Sequence, residues 1–208
     1  KYQLTDYTDL DPYIPLLKKL SIDESVPKYA THLVYMTKSN SIKKIENKII
    51  YSIMQQRPKR ADLYWFIHVE TTDEPYTREY KVDIIASQDV VRITFRLGFK
   101  VEQLIGRYFS NVVRDMVQKG EVDVTSRYQS LHTEYMTGDF TFIVMQKFLS
   151  YENILPPYRR AIMQLHFIFR KLSVTEKRWF GLDDNNVEIE KIPLLISPAP
   201  DIELKRIQ

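Results

Sequence analysis

Apolar residues along the chain switch between two spacings. Leu33 to Met36 is a short apolar run bounded by Pro27 and by Ser39 to Ser41, and Leu63 to Val69 is a second run rich in aromatic and β-favouring types. Runs of this length between turn residues predict buried strands, here within Ala30–Met36 and Leu63–Val69. Between them Ile42, Ile45, Ile49, Ile50, Ile53 and Met54 recur at helical spacing, with Lys43, Lys44, Glu46 and Lys48 opposite, until Pro58 ends the pattern. That is an amphipathic helix. A strand, helix and strand in this order normally make a right-handed parallel crossover, so the chain is expected to open on a βαβ unit.

Two strictly alternating segments follow. Tyr80, Val82, Ile84 and Ala86 interleave with Lys81, Asp83 and Ser87; Val91, Ile93, Phe95 and Leu97 interleave with Arg92, Thr94 and Arg96. Joined at Gln88 and Asp89, they predict an antiparallel hairpin with one wet face. From Val101 to Val117 the residues Leu104, Ile105, Tyr108, Phe109, Val112, Val113 and Met116 form one stripe, with Gly120 placed to stop a helix. Phe140 to Phe148 predicts a further strand, Pro156 and Pro157 open a helix reaching Leu172, and Ser173 with Glu176 can box one more turn before Gly181. A last strand is expected over Val187–Ile192, followed by an extended tail in which Pro193, Pro198 and Pro200 oppose regular structure. The fold class is therefore α/β: a mixed parallel and antiparallel sheet with a βαβ start, a β-hairpin and three main helices.

The N-terminal segment carries Pro12, Tyr13, Ile14, Leu16, Leu17 and Leu20, then turns polar from Ser21 to Ser25. It reads as a short amphipathic helix or as an arm that docks its apolar groups elsewhere. No linker-like composition divides the chain, so one domain is expected over 26–196, with an arm at 1–25 and a tail at 197–208. Lys1 stands where an initiator Met would, which suggests a boundary inside a longer reading frame.

Composition narrows the chemistry. There is no Cys, so disulfides and thiolate metal sites are excluded and the cytoplasm is favoured. No apolar run approaches the roughly 18 to 20 residues that span a bilayer. A net charge of +3 arises from 30 basic and 27 acidic residues spread along the chain, which lacks the concentrated basic face of a nucleic-acid binder. Five glycines, at 98, 106, 120, 138 and 181, leave no G-x-G-x-x-G and no phosphate loop. His32, His68, His132 and His166 are too dispersed to share a helical turn, so isolated, locally satisfied histidines are expected and no metal site.

Glu70, Asp73 and Glu74 fall at a strand end, where α/β proteins often place catalytic groups. The same stretch, Thr71 to Pro75, also has the composition of an ordinary solvated turn. Ser130 and Ser150 lack a nucleophile-elbow context. Arg57, Lys59 and Arg60 suit a helix C-terminus, Arg159, Arg160, Lys177 and Arg178 allow the same reading, and a solvated surface is expected for all of them; either group could otherwise meet phosphate or anionic lipid headgroups. No catalytic residue, cofactor-binding residue or cofactor is assigned, and no enzyme is expected.

Three stretches narrow the reading further: Val26 to Met36, Ile45-Glu46-Asn47-Lys48-Ile49-Ile50, and Asp73-Glu74-Pro75-Tyr76, continued by Gly98-Phe99 and by the strands over Phe140–Phe148 and Val187–Ile192. In residues and in order they resemble the cytosolic C-terminal region of the KUP/HAK/KT potassium uptake transporters. The resemblance implies a domain at the cytoplasmic side of the inner membrane of a bacterial potassium importer. The membrane helices carrying the ion, coupled to protons in the bacterial members, would lie elsewhere in the same polypeptide. It carries no ion-binding residue onto this chain, and the segment beyond Ile192 departs from it. The expected role is assembly or regulation, with the membrane-spanning part of the same polypeptide and a second copy as partners and with no nucleic acid. Tyr13, Leu16, Leu17 and Leu20 are the candidate interface. A module sensing a small ligand or nucleotide, whose effector is unknown, is the competing reading; a stand-alone enzyme using the Glu70 to Glu74 turn comes third.

Overall fold

The computed structural model describes residues 7–86, 89–126, 128, 137–149 and 186–194. The strands within them are β1 (Tyr7–Asp9), β2 (Lys28–Thr37), β3 (Lys44–Glu46), β4 (Arg60–Thr72), β5 (Arg78–Ala86), β6 (Val90–Gly98), β7 (Phe140–Leu149) and β8 (Asn186–Leu194). The helices are α1 (Ile14–Ile22), preceded by a 3-10 turn over Asp11–Tyr13, α2 (Asn47–Tyr51), and α3 (Ile105–Gln118).

Six strands form one sheet in the order β5-β6-β4-β2-β7-β8. β2, β4, β6, β7 and β8 are parallel, and β5 closes one side as the antiparallel partner of β6. The fold class is the expected one: a mixed α/β sheet with a βαβ start, a hairpin and three helices among the described residues. The helix expected over 156–172, the capping box at 173–176 and the tail from 195 lie outside those residues. β8 runs on through Pro193, which pairs with Phe148; β8 is the terminal strand of the sheet among the described residues. Such a strand tolerates proline because one of its edges needs no ladder hydrogen bond.

Both faces of the sheet are covered, which is why its strands read as continuous apolar runs. Alternation divides each strand. Leu63, Trp65 and Ile67 of β4 join Val91, Ile93, Phe95, Phe142 and the Phe109 stripe of α3 in one cluster. Tyr64 and Phe66 turn the other way, joining Leu33, Tyr35, Ile143, Leu17 of α1 and Ile49 of α2. α3 ends as the sequence predicts. Gly120 has φ 70°, its N–H reaches the Val117 carbonyl at 3.0 Å and Glu121 N–H reaches the Met116 carbonyl at 2.9 Å. That pair of bonds is the Schellman pattern, and it needs the left-handed conformation glycine adopts without strain.

The helix expected over residues 42–54 is corrected. Residues 44–46 form β3 instead, with Ile45 opposite Thr8 of β1, and the helix begins only at Asn47. It ends in a π turn over Ser52–Gln56, after which Arg57 is extended at φ −155°, ψ 117°, as the residue before a proline prefers. Ile45 is buried as its spacing suggests. Its backbone, however, bonds across to a strand far away in the sequence, and helical periodicity contains no information about that partner.

Candidate functional site

The segment expected as an arm is built onto the core. β1 pairs with β3, Leu10 N–H donates to the Lys43 carbonyl at 2.7 Å, and α1 packs across β4. Arg60 closes the C-terminal end of α1, donating from Nε to the Ser21 carbonyl at 3.2 Å and from Nη1 to the Val26 carbonyl at 3.2 Å. A guanidinium there satisfies orphan carbonyls and complements the helix dipole. The four candidate interface residues are thereby separated. Leu17 is fully buried in this chain's own core, and Tyr13 and Leu20 are half-buried against it. Leu16 is 45% exposed, beside Ile22 at 72% on the same helix. The spacing placed all four on apolar positions; only packing distinguishes the inner from the outer ones.

The acidic turn is a structural corner. Glu70 and Glu79 flank Arg96 at 3.7 and 2.6 Å, all three exposed at the surface. Glu74 accepts from Thr77 Oγ1 at 3.1 Å, and Gly98 N–H bonds to the Thr77 carbonyl at 2.9 Å. A Cβ on Gly98 would stand 2.4 Å from the Glu74 carbonyl oxygen, so the turn lies on Gly98 as only glycine permits. Tyr76, Phe99 and the Lys100 ammonium form an exposed cluster above it. Among the described residues no three His, Asp or Glu side chains gather as a metal cage.

The two described histidines are buried, with local contacts. His32 stacks on Phe140 at 4.2 Å and accepts at Nδ1 from Trp65 Nε1 at 3.4 Å; His68 Nδ1 lies 3.2 Å from the Thr37 carbonyl oxygen. His132 and His166, with Ser130, Ser150, Arg159, Arg160, Lys177 and Arg178, fall outside the described residues.

Lys59 overturns the expectation of a solvated basic run. It is only 2% exposed, pairs with Glu190 of β8 at 2.7 Å, and donates to the Ser52 carbonyl at 2.7 Å and to Ser52 Oγ at 3.1 Å. Ser52 Oγ also bonds to Glu190 and to the Tyr35 hydroxyl, and the Tyr29 hydroxyl donates to Glu188. Burial pushes the Tyr35 and Tyr64 phenols well above their ordinary range; for Tyr29 burial and then the Glu188 hydrogen bond act the same way.

A second polar knot lies on the same face. Glu46 accepts from Thr37 Oγ1 and from Lys38 N–H at 2.8 Å, while buried Arg92 donates to the carbonyls of Ser39 and of Ser41, the latter at 2.6 Å. Desolvation lowers the Arg92 pKa, against the opposing fields of Asp83 and Glu46. These residues fix the loop that leaves β2 at the carboxyl ends of the parallel strands. Sequence reasoning missed both knots because single charged residues inside strands carry no marker of burial.

Against α3 there is a cavity of about 330 Å³ lined by Tyr80, Phe95, Leu97, Tyr108, Val112 and Asp115, with Arg78, Glu79 and Asn111 completing it. Asp115 accepts from Lys119 and from the Tyr80 hydroxyl, each at 2.7 Å, and both bonds lower its pKa. The arrangement is a polar latch between helix and sheet.

Comparison with known proteins gives the family of this domain. Residues 30–196 match the family described as "K+ potassium transporter C-terminal domain". The proteins named "Probable potassium transport system protein Kup" from Flavobacterium johnsoniae and Cytophaga hutchinsonii are 50% identical over 203 residues and 48% identical over 207 residues. These alignments cover 98% and 100% of this chain but only 31% and 32% of those proteins. The protein of the same name from Clostridium perfringens is 39% identical over 207 residues, covering 100% of this chain and 31% of its own length. The chain thus spans about a third of the length of the curated relatives it matches. No solved structure matches it. With the family match running through β2, β4, β6, β7 and β8, the chain belongs to the potassium transporter C-terminal domain family.

Proposed function

We propose that this chain is the accessory cytosolic domain of a bacterial potassium uptake system and acts in its assembly or regulation. Potassium import, coupled to protons, is the work of a membrane-spanning part of the same polypeptide, and the domain lies on the cytoplasmic side of the inner membrane. The observation that carries this reading is the family match over 30–196, in a chain spanning about a third of its Kup relatives. Two features agree with it. No helix of the described residues is long and apolar enough to cross a membrane, and the acidic turn is held in surface ion pairs and backbone contacts. Leu16 and Ile22 are the outward groups of α1 and the proposed contact with the membrane part. A domain tethered beside that part acts at high effective concentration, so a weak interface suffices to bias conformation. Coupling of about 1 to 3 kcal/mol shifts an equilibrium five- to more than a hundredfold.

The test is potassium uptake in a transport-deficient cell. It compares equal membrane amounts of the full polypeptide, a version lacking these 208 residues, and Leu16→Asp with Ile22→Asp. The truncated protein should still insert, and both altered proteins should differ from the parent in affinity, maximal rate or regulation. Identical uptake in all three would remove the accessory role.

A further inference from the structure

We propose that the cavity between α3 and the β5–β6 hairpin is a binding site for a small organic monoanion, an aromatic or branched aliphatic carboxylate. Its volume of about 330 Å³ lies at the small end of the ligand-pocket range, roughly 300–1,000 Å³, which admits one ring or a branched chain and not a nucleotide. The space follows from the periodicities of its walls. Alternate residues of β5 and β6 share a face, and the register sets Arg78 against Leu97 and Tyr80 against Phe95. On α3, Tyr108, Asn111, Val112 and Asp115 recur at spacings that place them on one stripe, turned to the same hairpin. Phe95, Leu97 and Val112 are buried and form the floor; Arg78, Tyr80 and Asn111 are exposed and form the mouth.

Charge selects the occupant. Both carboxylates on the lining already have a cation: Asp115 pairs with Lys119 at 2.7 Å and also accepts from the Tyr80 hydroxyl at 2.7 Å, while Glu79 pairs with Arg96 at 2.6 Å. Arg78 has no such partner. Among the described residues its guanidinium makes no ion pair or side-chain hydrogen bond, and the Asn111 amide likewise makes none. A surplus cation over an apolar floor complements a carboxylate on an apolar body, since the guanidinium fork matches the two carboxylate oxygens. The lining is suited to one negative charge and no more. Arg78 is its single uncompensated cation among the described residues, and the part of α3 it uses begins at Tyr108, whose N–H is already bonded to the Leu104 carbonyl at 3.0 Å. The helix N-terminal N–H groups that favour phosphate are therefore not offered to the cavity. The carboxylate meets Arg78 and Asn111, and the ring or branched chain lies on Phe95, Leu97 and Val112. The inference rests on the cavity and its charge balance and stands apart from the transport role.

The test is equilibrium binding to the purified full polypeptide in lipid nanodiscs, with empty nanodiscs as baseline. Radiolabelled phenylacetate and isovalerate are the probes, with phenethylamine, acetate and inorganic phosphate for comparison. At least one of the two probes should bind, and the three comparison compounds should each bind about tenfold more weakly or less, since each lacks either the charge or the apolar body. Arg78→Gln should weaken the bound probe about fivefold or more. Arg107→Gln, which removes an exposed cation of α3 outside the cavity, should change it by less than about twofold. Asn111→Trp, which fills the mouth from an exposed position, should abolish binding. Because Arg78 and Asn111 are both exposed, the two variants should keep the parent's thermal melt. No binding of either probe, equal binding of phenethylamine, or binding that survives Arg78→Gln or Asn111→Trp would each overturn the proposal. Phosphate or acetate binding as tightly as the probes would mean a plain anion site at Arg78, and would overturn it too.

Discussion

The two faces of the sheet are built differently. Against α3 the contacts are apolar and aromatic: Phe109 meets Trp65, Phe140 and Phe142 edge-on at 5.3, 5.6 and 5.4 Å. Against α1 and α2 a comparable apolar cluster is interrupted by Lys59 with Glu190, by Glu46, and by Arg92. The first face gains from area removed from water and from ring geometry, neither of which depends on a particular partner at long range. The second adds little net stability through its buried charges, but it fixes the course of the π turn and of the loop after β2. One face supplies cohesion and the other supplies position.

The strongest way to break this comparison is to place a charge on each face. Val112→Lys on α3 and Ile49→Lys on α2 should each cost several kcal/mol, because both side chains are buried. Thermal melts should show the larger loss for Val112→Lys, since among the described residues the α3 cluster holds no buried carboxylate; an unchanged melt for either would mean the face is misassigned.

A smaller effect sharpens the contrast. Lys59→Met leaves Glu190 without its cation in a partly buried site and should cost about 3 kcal/mol. Lys59→Met with Glu190→Leu should recover much of that loss in a denaturant titration, as expected if the pair positions the chain more than it stabilises it. A double variant no better than the single one would show that the ion pair is itself a net stabiliser.

The smallest effect is confined to alkaline pH. Tyr35 and Tyr64 have pKa values raised by burial above the ordinary value of 10.0, so the folded state withholds their ionisation. Their contribution is fully present below pH 10 and is lost as pH rises towards the folded pKa, by about 1.4 kcal/mol per pH unit for each phenol. Tyr35→Phe and Tyr64→Phe should therefore flatten the alkaline limb of a stability profile. An unchanged limb in both would show that other groups set it.

Much of this was legible before any coordinates. The strands over Leu33–Met36 and Leu63–Val69, the hairpin, α3 and its stop at Gly120 follow from periodicity and from the one residue that accepts a left-handed turn. The candidate interface was legible only as a set: spacing marks Tyr13, Leu16, Leu17 and Leu20 as apolar, and Leu17 turned inward while Leu16 stayed outside. β3 was hidden because its partner lies in the N-terminal segment, and the ladder that holds Ile45 outweighs a local helical preference.

What the sequence determined by itself is the set of surfaces that must leave water and the class of fold that can bury them. It also determined the family, through ordered stretches such as Val26 to Met36 and Asp73 to Tyr76. Only the tertiary structure decided which charges are inside and which apolar groups of α1 remain outside. Periodicity is a property of neighbours along the chain, where a helix or strand repeats every few residues. The partner of Lys59 is 131 residues away at Glu190, and no periodicity within β4 or β8 records that pairing.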